Sequence, residues 1–155
     1  MWPDELDPKE MPRHFFAPDA DLDYAGAERA NVDAQNYSLH PRYWYIDTWQ
    51  TCTQCKAPFP FTIEEQRFWY EERRFYVASY PIRCKKCRRD QRRLEEARQR
   101  YGDLREQAVR RDASKELKVE VLALIDELEA AGERLSDRMI QCREVLRQQI
   151  KALDD

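Results

Sequence analysis

The chain has 155 residues, 37% of them charged, and a formal net charge of −3. That length bounds it to one or two small domains. No apolar run approaches the ~20 residues a bilayer span needs, so no membrane partner is expected, and three scattered glycines supply no phosphate-cradling loop. The near-balance of charge hides segregation. Residues 1–47 hold ten acids and four bases, residues 83–111 twelve bases and five acids, and residues 112–155 eleven acids and seven bases.

Residues 1–42 contain five prolines, many acids and little periodicity. They read as an acidic arm, extended or partly disordered. Two short clusters in it, His14-Phe15-Phe16 and Leu22-Asp23-Tyr24, are able to dock on a folded part. Residues 43–51 are aromatic and β-branched and read as a strand. Pro58 and Pro60 then end a turn. Thr62-Ile63-Glu64-Glu65 has the form of a capping box, with a helix of about three turns following to near Arg73. Its apolar positions Ile63, Phe68, Trp69 and Tyr70 are expected to face the core. Phe75-Tyr76-Val77-Ala78 reads as a short strand.

No proline follows Pro81, and helix formers dominate the remainder. One helix is expected from near Cys84 to about Arg111, with Leu94, Ala97, Tyr101, Leu104 and Ala108 on one face. Asp112-Ala113-Ser114 is a plausible break with a new N-cap. A second helical stretch is expected from Lys115 to Ala152. Its apolar stripe from Leu117 to Leu153 has a mean step of ~3.6, an ordinary amphipathic helix more than a strict coiled coil. Such a stripe must be covered, by the preceding helix as a hairpin or by another copy of the chain.

The strongest signal is a pair of Cys-x2-Cys motifs, Cys52-Thr53-Gln54-Cys55 and Cys84-Lys85-Lys86-Cys87, separated by 28 residues dense in aromatics. Two intervening residues let one tight turn aim both sulfurs at one metal, and four thiolates make a closed tetrahedral zinc site. Iron is a second candidate for such a set. Two disulfides would need an oxidising compartment, and Met1-Trp2-Pro3-Asp4-Glu5 does not open a secretory signal. Reduced thiols suit a cytoplasmic location. A dithiol redox motif would want a βαβ context that is missing here. The fifth cysteine, Cys142, lies on the apolar stripe and reads as a small buried hydrophobe.

From Tyr43 to Arg89 the sequence resembles a small bacterial family of probable zinc-ribbon domains with treble-clef character. The residues carrying the resemblance are Tyr45-Ile46-Asp47, Cys52-Thr53-Gln54-Cys55, Phe59, Phe61, Glu65-Gln66, Phe68-Trp69-Tyr70-Glu71 and Arg83-Cys84-Lys85-Lys86-Cys87-Arg88. The resemblance implies one structural zinc at Cys52, Cys55, Cys84 and Cys87, and no activity. One departure stands out. Many zinc knuckles place glycine after the second cysteine, where φ is positive, whereas this chain has Lys56 and Arg88. A helix start at Cys84–Cys87 explains Arg88 without glycine.

The resulting expectation is an α+β chain, mostly α. It comprises the arm (1–42), a treble-clef-like four-cysteine module (43–93) and a helical hairpin or coiled coil (94–155). Arg83, Lys85, Lys86, Arg88, Arg89, Arg92 and Arg93 form a basic run with two readings. One is a phosphate-contacting face for nucleic acid. The other is compensation of the net −2 charge of a zinc tetrathiolate together with ordinary solvated helix charge. The acidic total favours the second. Aromatics between Trp44 and Tyr80 suit a small core better than base stacking. The two histidines, His14 and His40, lie in the arm, so no catalytic histidine stands beside the cysteines. The function expected is therefore a non-catalytic zinc-stabilised binding module, with protein docking or self-association through the long helices. The rival is a nucleic-acid or ribosome-associated factor using residues 83–93, and a weaker one is a redox switch that ejects zinc on oxidation. No small-molecule substrate is expected.

Overall fold

The computed structural model describes residues 6–155. Contacts divide the chain into two units at Arg88/Arg89. The boundary falls inside a helix, five residues before the one drawn from sequence. Residues 1–5 of the expected arm lie outside the described residues.

The first unit is built on a three-stranded antiparallel sheet in the order β1 (Asp21–Arg29), β2 (Trp44–Thr51), β3 (Pro58–Phe61). β2 is central, and its alternation buries Ile46, Thr48 and Gln50 on one side. β3 has the sequence Pro-Phe-Pro-Phe, with both phenylalanines buried and both prolines exposed. A proline offers no amide to a ladder, so it belongs on an edge strand. The prolines read as a turn terminator are thus part of the sheet. Beyond β3, at Ile46, a side chain takes over the pairing. The Gln66 amide donates to the carbonyls of Ile46 (2.7 Å) and Phe61 (2.8 Å) and accepts from the Ile46 N–H (3.3 Å).

The arm, expected to be extended or partly disordered, contains an extended strand in its described part. β1 pairs with β2 from Asp21↔Trp49 to Arg29↔Trp44, with an irregularity between Asp23 and Glu28. Before it, two short 3-10 turns (Pro8–Glu10 and Arg13–Phe15) carry Met11, Phe15 and Phe16 into a cluster with Ile46 and Val77. The reason is a residue that composition does not flag. Arg42 is 1% exposed. It donates from Nε to the Val77 carbonyl (2.6 Å) and from Nη2 to the Phe15 carbonyl. The rings of Tyr70, Phe15 and Phe16 lie 4.4, 5.1 and 5.3 Å from its guanidinium carbon. A buried cation without a carboxylate is expensive, and aromatic faces and carbonyls are what offset it. Folding the arm back supplies two of the rings and one carbonyl.

The expected three-turn helix is α1 (Ile63–Arg67) continued by a π-helical turn (Phe68–Glu72). Ile63, Gln66 and Tyr70 are buried, Trp69 is half-buried and Phe68 is exposed, so Phe68 does not face the core as expected. Thr62 Oγ1 accepts from the Glu65 N–H (3.2 Å). The Glu65 side chain does not return to Thr62; it meets Arg88 instead (2.7 Å). The segment 75–78 is no strand. It makes one isolated bridge, Asn36↔Tyr76, and buries Val77.

The second unit contains most of α2 (Lys85–Ala108), then α3 (Lys115–Ala130) and α4 (Asp137–Asp154). The long second helix expected from sequence is broken at Ala131–Ser136. Gly132 sits at φ 86°, with Glu133 N–H bonded to the Leu128 carbonyl (3.1 Å) and Gly132 N–H to that of Glu129 (2.9 Å). This is a glycine-closed helix end. Ser136 then caps α4 by accepting from Met139 N–H, as Ser114 caps α3. The stripe kept its 3.6 step across the break and hid it. Tyr101 and Ala108 of α2 pack with Val121, Ile125, Cys142 and Leu146. Three helices therefore cover one another, in place of a two-helix hairpin or coiled coil.

α2 ends without glycine, and its last carbonyls find donors elsewhere. Lys118, fully buried, donates from Nζ to Ala108 O (2.9 Å), Arg110 O (2.6 Å) and Gln149 Oε1 (2.7 Å). Gln149 donates in turn to Val109 O (3.0 Å). Replacing Lys118 by Met leaves the buried Ala108 carbonyl unpaired, at about 1–3 kcal/mol where water cannot reach, while the exposed Arg110 carbonyl keeps the Ala113 N–H (3.2 Å). Lys118→Met should therefore lower the thermal midpoint of the helical unit, followed at 222 nm, while leaving the zinc content of the protein unchanged.

Candidate metal centre

Each cysteine pair is presented by a different local device. Cys52 directly follows β2, and Thr53–Cys55 form a tight turn closed by Cys52 N–H to Ala57 O (2.9 Å) and Lys56 N–H to Cys52 O (3.0 Å). Lys56 follows at φ 63°. This is the left-handed position where a glycine is usual, and the chain adopts it with a lysine whose Nζ donates to Thr53 O (2.8 Å). The knuckle geometry thus holds despite the missing glycine. The second pair occupies the start of α2, where amides have no intrahelical acceptor. The Cys84 N–H points at Cys52 Sγ (3.4 Å) and the Cys87 N–H at Cys84 Sγ (3.5 Å). Thr53 N–H to Ile82 O (2.9 Å) ties the two approaches together.

The four sulfurs of Cys52, Cys55, Cys84 and Cys87 all lie within 4.8 Å of one another, and Cys55 and Cys84 are 3.9 Å apart. A zinc ion with Zn–S of about 2.3 Å sets its sulfurs ~3.8 Å apart, so the set fits one tetrahedral ion. Cys142 is in the helical cluster, not here. Cys52 and Cys87 are buried against Phe59, while Cys55 is exposed and Cys84 half-buried. Burial opposes ionisation of Cys52, but the N–H groups of Cys55, Cys84 and Gln54 outweigh it and bring its pKa down to about 6. The Cys87 N–H lowers that of Cys84. Burial pushes Cys87 up to about 12. Metal binding must displace the Cys87 proton, whereas Cys52 is already a thiolate at neutral pH.

The basic run divides on inspection. Arg88 is half-buried and fully engaged: it pairs with Glu65, donates from Nε to Arg83 O (3.0 Å) and lies 5.6 Å from the Trp69 ring. Arg93 pairs with Glu127 (2.9 Å). Arg83 is half-buried. Lys85, Lys86, Arg89 and Arg92 are exposed and have no ion pair among the described residues. The first turn of α2 has basic residues and no acidic ones. That is the reverse of what a helix dipole prefers, and a doubly negative zinc tetrathiolate at the same end offsets it. Sequence reasoning missed Glu65 as the partner of Arg88, since cap and ion pair are both consistent with its position. It also missed the half-buried Trp69, which the Arg88 guanidinium covers.

Residues 46–96 match a family described as a probable treble clef domain. This part of the chain is similar to that family, and the geometry accords with the likeness: a knuckle, a short hairpin, and a helix whose first turn supplies the other two ligands. Comparison with curated proteins gives no match, and comparison with solved structures gives none. The cofactor is one structural zinc ion, held by Cys52, Cys55, Cys84 and Cys87 with no coordination position left over.

Two outcomes follow from this site. Zinc uptake at pH 7 should be one ion per chain and should release fewer than the four protons of four neutral thiols, because Cys52 is already ionised; titration in weak buffer with a pH indicator measures this. Lys56→Gly relieves left-handed strain of ~1–2 kcal/mol at the expense of ~0.5–1 in chain entropy. It should raise the denaturant midpoint of the zinc-loaded protein slightly, and a lowered midpoint would refute the strain.

Proposed function

We propose that the chain is a non-catalytic binding module whose shape is held by zinc and whose partner is a protein. The observation that carries this reading is the closed donor set: four sulfurs within 4.8 Å of one another leave the metal no vacancy for water or substrate. The site ties the end of β2 to the start of α2, which is a structural task. What speaks against self-association through the stripe on the C-terminal helices is that α2, α3 and α4 bury most of it among themselves, with Leu153 at its end left exposed. The apolar residues left exposed there, such as Val119 and Ile140, are scattered singly on α3 and α4, as on any surface. Among the described residues no helix is long and apolar enough to cross a membrane.

A second reading assigns the module to nucleic acid. It is supported by the exposure of Lys85, Lys86, Arg89 and Arg92 without ion pairs. The two readings differ in salt dependence. A phosphate-binding protein is held on heparin and released steeply as salt rises. The protein-binding reading expects weak retention on heparin and, from native extract treated with nuclease, capture of protein partners that is lost when Cys52 is replaced by Ser. Strong, steeply salt-dependent retention, with capture abolished by nuclease, would overturn it.

A further inference from the structure

The side of the sheet that carries Trp49 presents a surface that folding alone does not account for. Register sets Asp21, Trp49 and Pro60 side by side across the three strands, all exposed. Trp49 keeps 52% of its surface in water, although indole is among the most rewarding side chains to bury. Two residues along β2, Asp47 lies directly opposite Asp23. Like charges facing across strands destabilise a sheet. Asp23 accepts from Ala25 N–H (3.1 Å) and Asp47 from Ile63 N–H (2.8 Å), but neither meets a cation among the described residues. Asp47 also borders an open depression of ≈ 380 Å³ shared with Glu28, Glu64 and Arg67, in which Arg67 is taken by Glu28. Two neighbouring features, a bare tryptophan and a facing carboxylate pair held by backbone amides but by no cation among the described residues, are ones that a sheet built for stability alone would avoid.

We propose that this face docks an extended cationic segment of a partner protein, with one arginine or lysine over the Trp49 ring beside Asp21 and a second basic side chain in the depression at Asp47 and Glu64. Charge complementarity selects this occupant. The carboxylates outnumber the single arginine, and tryptophan is the best aromatic acceptor of a cation. The spacing agrees: Trp49 and Asp47 are two residues apart on one side of a strand, ~7 Å, and same-side residues of an extended peptide repeat at the same distance. A polyanion is repelled from this face, so the inference rests on the protein-binding reading and supplies the chemistry of its partner.

The test titrates the zinc-loaded full chain into a fluorescein-labelled peptide of alternating Arg and Ser, with a Glu–Ser counterpart, and reads anisotropy at low salt. The Arg–Ser peptide should bind and the Glu–Ser peptide should not. Trp49→Ala should weaken binding roughly fivefold or more, Trp49→Phe less, and Asp21→Asn by about twofold. Zinc content and near-UV circular dichroism identify variants that remain folded. No binding of the Arg–Ser peptide overturns the proposal. So does a wild-type dimer in light scattering that Trp49→Ala dissociates, since a second copy would then own the face. Binding unchanged by Trp49→Ala and Asp21→Asn also overturns this face but leaves the protein-binding reading standing; that reading falls on the nuclease-treated extract, not here.

Discussion

Four sulfur atoms drawn from two distant turns converge on one point, and the first unit is arranged to make that convergence hold. Cys52 and Cys55 hang from the end of the central strand; Cys84 and Cys87 are the opening turn of the longest helix. The amides at that helix start point at sulfur, so the same groups that a helix leaves unpaired become the field that stabilises thiolates. The lysines and arginines of the first helical turn are awkward for the dipole alone and sensible beside a centre of net charge −2. Metal, helix start and basic run are one electrostatic arrangement.

A second buried charge does comparable work away from the metal. Arg42 has no carboxylate partner among the described residues and is held by carbonyls and three aromatic rings. Two of those rings, Phe15 and Phe16, come from a segment whose composition suggests disorder. An acidic, proline-rich stretch becomes ordered because it completes the surroundings of a cation that has nowhere else to go. Gln66 plays the matching neutral role, closing the backbone of β2 where β3 has stopped. The first unit is thus larger than the metal-bearing segment, and its core is distributed among several clusters. In the helical unit Lys118 does for the end of α2 what a glycine would ordinarily do, by sending a charge to carbonyls that the helix cannot satisfy.

Aromatic residues in the module divide by role. Tyr45, Phe59, Phe61 and Tyr70 are core, and Tyr45 and Tyr70 stack at 6.1 Å. Trp49, Phe68, Phe75 and Tyr76 are exposed. Composition does not separate these groups, because the same residue types fill cores and make interfaces. Only their positions on strand and turn tell which is which, and the exposed tryptophan among carboxylates is visible solely through cross-strand register.

By itself the sequence determined the features that depend on neighbours along the chain. The ligand spacing of the two cysteine pairs, the strand leading into Cys52, the cap at Thr62, the helix beginning near Cys84 and the N-cap at Ser114 are all local, and local rules read them. Tertiary structure decided the rest, for a common physical reason: each depended on a partner far away in sequence. β1 is a strand because β2 offers it a ladder, and Pro58 and Pro60 are tolerated because β3 is an edge. Lys56 accepts a left-handed backbone because the knuckle holds it there. Glu65 leaves its cap role for Arg88, 23 residues away. The break at Gly132 was written locally, in a glycine and a following serine, yet a continuous apolar stripe outweighed it until three helices were seen to share one core.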